Sequence, residues 1–278
     1  MALDNAQRRA LIDAVRAAAR QEIMPRFRAL ATDDIASKSN AHDMVTAADL
    51  GAEAMLRATL PEILPGARII GEEGVAADPT ELDALTEQGL KIILDPVDGT
   101  WNFARGLATF GTLLAVIDGE ETVFGLLYDP VNDHWIEAIA GGGTWRVAGS
   151  SRIRCRVAAG ACETTGLVGL HHAAGLSAPQ WLACAALYPR FSKITATRAS
   201  IWDYWLLVTG GADFCLNRYL NVWDHAAGAL ALREAGGYPA LIDGRAYVPA
   251  MREGYLLAAC SREAWQTAAG VFKPALDA

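Results

Sequence analysis

The stretch Lys91–Phe103, KIILDPVDGTWNF, sets two carboxylates, Asp95 and Asp98, three residues apart at the end of an apolar run. Ile92, Ile93 and Leu94 read as a buried strand that Pro96 and Gly99 stop. Carboxylates that converge at a strand end repel each other, and a bound cation offsets that repulsion; all-oxygen ligation suits Mg2+. A plain turn with both aspartates in water is the other reading of this stretch alone. Gly71-Glu72-Glu73-Gly74 follows a short apolar run, so one glutamate can aim inward while the other faces water or supports it; a charged turn is the alternative. Asp224, in Trp223-Asp224-His225, either complements a helix dipole or carries a carboxylate from the second half of the chain to the first. Glu72, Asp95, Asp98 and Asp224 together are the wrong donors for structural zinc and the right ones for Mg2+ or Mn2+. Two or three such ions activate water, polarise a phosphoryl group and neutralise a leaving oxygen.

The elements that position these residues follow from periodicity and breakers. Apolar spacing predicts a packing helix over Leu3–Met24, ended or kinked by Pro25. A second helix begins near Thr46, where Thr46 and Asp49 form a loose capping pattern; a cap and a first-turn carboxylate are the plain reading of Asp43 and Asp49, and Lys38 reads as a loop lysine. Ala67–Ile70 is a short strand, and Val75–Gly89 a surface excursion. Ala108–Gly119, Thr122–Tyr128 and Trp135–Ala140 read as sequential strands of an antiparallel or mixed sheet, the first two joined through Asp118-Gly119. Ser150–Arg156 reads as a link. Beyond it short strands (Val157–Ala161, Ile194–Ala196, Ala212–Leu216, Ala240–Gly244, Tyr255–Ala259) alternate with helices (Pro179–Tyr188, Ile201–Thr209, Trp223–Ala235, Arg262–Ala269). The chain divides into residues 1–150, carrying most of the acidic set, and 151–278, carrying Asp224.

Composition narrows the function classes. With 278 residues, 52% of them hydrophobic, the chain can bury a full core. A net charge of -8 argues against nucleic-acid polymers and anionic membranes, though not against a phosphorylated substrate, because a metal reverses the local sign. Cys155, Cys162, Cys184, Cys215 and Cys260 are scattered without a CxxC, which fits a reducing compartment. Met1–Arg20 lacks the apolar core of a signal peptide and no uncharged apolar stretch is long enough to span a bilayer, so a cytoplasmic setting is expected. Gly141-Gly142-Gly143 is not a phosphate-binding P-loop, GxSxG and HExxH are missing, and His171-His172 reads as a surface or loop feature.

DPVDGTWNF closely resembles the metal-binding signature of the inositol monophosphatase-like family of Mg2+-dependent, lithium-sensitive phosphatases. Ordered matches to that family's motifs run from Lys38 to Gly237. The resemblance implies a layered α-β-α-β-α sandwich of the inositol monophosphatase / fructose-1,6-bisphosphatase type. It implies metal binding by Glu72, Asp95, the Val97 carbonyl, Asp98 and Asp224. A metal-activated water would attack phosphate, helped by Thr100 and Asp49, with phosphate against Gly99 and Thr100. Lys38, Asp43, Thr46 and Glu73 would support the ligands. A homodimer is implied too. The expected activity is phosphomonoester hydrolysis of inositol 1-phosphate or a related polyol phosphate. Alternatives are histidinol phosphate or another small phosphate ester and, outside catalysis, a metal- or phosphate-binding regulator. The chain departs from the pattern where substrate is recognised. Asn217 stands seven residues before Asp224 where the family has a glutamate that contacts ring hydroxyls. Arg198-Ala199-Ser200-Ile201 replaces a small-residue segment; Arg198 faces either a second anionic group or solvent.

Overall fold

The computed structural model describes residues 3–31, 35–37, 44–158 and 163–277; Lys38, Asp43 and most of the expected strand Val157–Ala161 lie outside them. Helix α1 (Asn5–Ala18) is capped by Asp4 and Gln7 and runs into a π-helical turn, Ala19–Ile23. Strands β1 (Ile35–Ser37) and β2 (Met44–Thr46) pair antiparallel and lead into α2 (Ala47–Ile63). Then follow β3 (Arg68–Gly71), α3 (Glu72–Ala77), a 3-10 segment Pro79–Thr86, β4 (Leu90–Asp98) and the short α4 (Thr100–Ala104). Strands β5 (Gly111–Asp118), β6 (Glu121–Asp129), β7 (His134–Ile139), β8 (Gly143–Ala148) and β9 (Ser151–Arg154) continue from β4 as an antiparallel meander, with β3 parallel on its other edge. The segment expected as a link is therefore mostly strand β9. Its side chains are exposed on this sheet edge, so no apolar alternation marks it.

The second sheet has five strands. Strands β10 (Val168–His171), β11 (Lys193–Thr195) and β12 (Phe214–Asn217) run parallel, and β13 (Tyr238–Leu241) and β14 (Leu256–Ala259) complete it antiparallel. Helices α5 (Ala178–Ala185) and α8 (Arg262–Leu276) cover its outer face, while α6 (Ser200–Thr209) and α7 (Val222–Glu234) lie between the two sheets. With α1 and α2 outside the first sheet, the layers run α-β-α-β-α, as the resemblance implied.

Alternation along buried strands sorts side chains between layers. In β4, Ile92 and Leu94 join the core beneath α1 and α2, while Ile93 joins the core around α6 and α7. A strand covered on both faces therefore reads as an unbroken apolar run. Helix α7 is buried nearly all round by Ala226, Ala227, Gly228 and Leu230, small enough to fit between two sheets. Its approach is close: a Cβ on Gly125 of β6 would lie 2.8 Å from the Ala227 carbonyl oxygen.

Candidate active site

Strand β4 does not stop at Pro96. Asp95 pairs with Leu113 and Asp98 with Gly111, so three steps on β4 oppose two on β5, a β-bulge. Leu113 and Gly111 are two apart and share a face of β5; their partners Asp95 and Asp98 therefore share a face of β4. Without the bulge, residues three apart would point to opposite sides. Pro96 fits because a bulge leaves its position outside the ladder, and its carbonyl accepts the Thr112 hydroxyl at 2.8 Å. Gly99 then turns the chain with φ 87, and a Cβ there would meet Ala199 Cβ and the Thr109 carbonyl, both at 2.9 Å.

Three carboxylates converge beyond this turn. One carboxylate oxygen from each of Asp95, Asp98 and Asp224 lies within 4.8 Å of the other two. Asp224 arrives in the first turn of α7, where the Asn221 amide donates to its Oδ2 at 3.0 Å. Asp98 accepts the Ser200 amide at 3.0 Å and the Ile201 amide, so the end of β4 also holds the start of α6. Asp95 Oδ1 is buried without a hydrogen-bond partner among the described residues. Burial, then Glu72 and Asp98, hold the Asp95 carboxyl well above its usual range. Asp224 is raised by burial, Asp98 and Glu72, and Asp98 is pushed by burial to about 7 despite its two amide donors. Negative charges crowded out of water, and an orphaned carboxylate oxygen, are what a divalent cation with oxygen ligands relieves.

Glu72 opens α3 and lines the same cleft of about 190 Å³, with Val97, Gly99 and Thr100. Glu53 of α2 sets the turn: its carboxylate accepts the amides of Glu73 at 2.9 Å and Gly74 at 2.8 Å while pairing with Arg57. Glu73 is buried behind it. Thr46 caps α2, and both its amide (2.9 Å) and hydroxyl (2.5 Å) donate to Asp49 Oδ2, closing the capping box. The other oxygen of Asp49 lies 3.1 Å from Thr100 Oγ1, which is also 2.9 Å from the Val97 carbonyl. Burial raises Asp49 to about 6, opposed by Thr46 and reinforced by Glu72.

A second cavity, about 630 Å³, adjoins the cleft and shares Asp98, Arg198 and Asp224 with it. Asn217, at the end of β12, lines it and donates to Cys215 Sγ at 3.2 Å. Arg198 has φ 60 and lays its guanidinium 3.8 Å from the centre of the Trp101 ring, with Arg105 4.2 Å from the same ring. Asn102 ties this loop down by donating to the carbonyls of Thr109 at 2.6 Å and Thr197 at 2.9 Å.

His171 and His172 are not a surface pair, for both line this cavity. His171 is buried against Tyr188 at 2.9 Å, and burial lowers it to about 4. His172 is half-buried with Nε2 2.7 Å from Asp203 Oδ2; burial pulls it down, but the Asp203 charge outweighs this and leaves it raised. Asp203 also accepts Thr197 Oγ1 at 2.6 Å, and Cys215 Sγ lies 3.4 Å away. His172, Asp203 and Cys215 form a second cluster of mixed donors. Sequence reasoning passed over Asp203, Glu53, Asn102 and Arg218. Glu53 had a signal: it follows Asp49 by one helical turn, two acids on an otherwise apolar face.

A sequence profile of the inositol monophosphatase family matches residues 4–274. Among curated relatives, an inositol-1-monophosphatase of Caulobacter vibrioides is 31% identical over 84% of this chain and 88% of its own length. The Nus factor SuhB of Escherichia coli is 30% identical over 73% of each chain. The solved SuhB of Bartonella henselae superposes with a TM-score of 0.80 at 23% identity, covering 97% of this chain and 99% of that one.

Proposed function

The chain belongs to the inositol monophosphatase family, and from that we propose that it is a Mg2+-dependent phosphomonoesterase acting on a small polyol phosphate such as an inositol phosphate. The observation that carries the reading is the convergence of Asp95, Asp98 and Asp224 within reach of the Asp49–Thr100 pair. Glu72, the Val97 carbonyl, Asp95, Asp98 and Asp224 would hold the divalent ions, two or three of them. When bound, Mg2+ polarises the phosphoryl group, makes water more acidic and neutralises the leaving oxygen.

The side chains supply the rest. Thr100 carries one hydroxyl proton and has two acceptors in reach, Asp49 and the Val97 carbonyl. Donating it to Asp49 frees the Thr100 oxygen to take a proton from water as that water attacks phosphorus. Thr46 keeps Asp49 oriented through two hydrogen bonds to its other oxygen. Gly99, with no side chain, would let the phosphate approach the backbone amides around Gly99 and Thr100, and Asn217 offers a neutral amide to a hydroxyl.

Phosphate release from inositol 1-phosphate and related esters, with and without Mg2+, tests this reading. Mg2+-dependent release that Asp95→Asn abolishes at limiting Mg2+ is the expected result. No release from any ester with Mg2+ present, or an unimpaired Asp95→Asn variant, overturns it.

A further inference from the structure

We propose that the ester taken by this site carries a second anionic group on its carbon skeleton, held by Arg198 and Arg218 in the cavity beside the carboxylate cluster. The inference rests on the phosphatase reading and narrows its substrate.

Because the cavity shares Asp98 and Asp224 with the cleft, whatever is attached to a phosphoryl group seated at those carboxylates extends into it. Apart from those two, no carboxylate among the described residues lines it. Among the described residues its remaining charged walls are Arg198, Arg218 and His172, and the negative partner of His172, Asp203, is buried behind it. Asp203 is already engaged by His172, Thr197 and Cys215, leaving the guanidiniums uncompensated. Neither Arg198 nor Arg218 pairs with a carboxylate among the described residues, which is also true of Arg28 and Arg105; what sets these two apart is that both line the cavity beside the carboxylate cluster.

Both guanidiniums are also set in place. Arg198 stacks on Trp101 at 3.8 Å, and its loop is pinned by Asn102 at 2.9 Å from the Thr197 carbonyl. Arg218 donates to the Gly254 carbonyl at 3.3 Å and lies 5.2 Å from the Tyr255 ring centre. Each retains donors in the planar fork that matches a carboxylate or phosphate. A neutral polyol would leave two cations facing one cavity whose carboxylates among the described residues, Asp98 and Asp224, belong to the proposed cation site. An amine-bearing skeleton would meet like charge, and Asn217, in place of an acid, offers it no compensation.

The test compares kcat/KM with saturating Mg2+ on three groups of esters. Glycerol 2-phosphate and inositol 1-phosphate carry one anion. 2- and 3-phosphoglycerate add a carboxylate, and fructose 1,6-bisphosphate adds a phosphate. Phosphoethanolamine adds a cation. At least one ester with a second anion is expected to exceed the one-anion esters by roughly ten- to hundredfold, with phosphoethanolamine poorest. The carboxylate and phosphate arms identify which anion is read. Arg198→Gln and Arg218→Gln are each expected to cut the preference about tenfold, and Arg218→Lys to retain part of it. If one variant fails to fold, the other carries the test. Equal or better turnover of one-anion esters, or a preference unchanged in both folded variants, overturns the inference and leaves the phosphatase reading standing. No turnover of any ester overturns both.

Discussion

Thr100 is the residue on which the proposed chemistry is most exposed to test. Its hydroxyl sits 3.1 Å from Asp49 and 2.9 Å from the Val97 carbonyl, and a methyl group in its place would leave the fold nearly untouched because the side chain is only half-buried. Thr100→Ala is expected to lower kcat roughly a hundredfold or more, the usual scale for losing a positioned proton acceptor, with KM little changed. Thr100→Ser, which keeps the hydroxyl, should recover most of the rate. Steady-state kinetics decide it: an alanine variant with near-normal kcat removes Thr100 from proton transfer. At this scale much was readable in the sequence. Asp95 and Asp98 announced themselves by type and spacing, and Thr46 with Asp49 by a capping pattern. His172 and Asp203 did not, because their pairing crosses from β10 to α6 and neither lies in a pattern that marks the other.

Among elements, apolar runs located β3, β4, β12, α6 and α7, but not the short helices α3 and α4 that carry Glu72 and Thr100. Those two are too brief to show a period, and in the sequence they read as a charged turn, a surface excursion and a strand end. Pro96 was read as a stop, yet β4 runs to Asp98 through a bulge. A bulge depends on the partner strand, so nothing local to Pro96 distinguishes it from a terminus. Strands β8 and β9 were missed as well: β9 is an edge strand whose exposed side chains lack the alternation that burial imposes, and β8, half-buried between β7 and β9, starts at the last residue of the glycine turn and carries no apolar run. Contacts between elements can be just as concentrated. Asp133, in the turn between β6 and β7, accepts Arg16 Nε at 2.7 Å, Arg20 at 3.0 Å and the Tyr128 hydroxyl at 2.9 Å, tying α1 to the sheet. The Arg16 hydrogen bond leads in pulling Asp133 from 3.8 to about 2. That shift corresponds to about 2.5 kcal/mol at full strength, but a side chain 39% exposed is screened, and about 1 kcal/mol is the realistic share. Asp133→Asn should therefore lower the melting temperature by roughly 2–4 °C at neutral pH. Asparagine tolerates the φ of 53 at this position, so the substitution isolates the charge. The folded pKa lies below the unfolded one, so the advantage is complete above about pH 4 and is lost as pH falls toward about 2. Thermal melts of both proteins should converge across that window; a gap independent of pH would show that the carboxylate charge is not what ties α1 down.

For the whole molecule, the layering explains why the acidic cluster is tolerated and what it costs. Helix α7 is sealed between two sheets and delivers Asp224 to the bulged end of β4, so the carboxylates meet where the two halves of the chain close on each other. The layers bring together groups whose folded pKa values lie above the ordinary carboxylate value: about 6 for Asp49 and about 7 for Asp98, with Asp95 and Asp224 raised as well. A raised carboxyl pKa means the folded state binds more protons than the unfolded chain, so without a divalent cation stability falls as pH climbs from about 4 through about 7. Mg2+ competes for the same oxygens and stabilises only the folded state, by about 2.7 kcal/mol at a hundredfold excess over its dissociation constant. For a chain of this size that is a rise in melting temperature on the order of 5 °C. Protons occupy the cluster in acid and leave it in base, so the rise with Mg2+ over chelator should be small near about pH 5 and largest near about pH 8. Differential scanning calorimetry at both pH values gives the comparison directly. A Mg2+ shift of equal size at the two, or none at either, would mean that the converging carboxylates do not form the cation site.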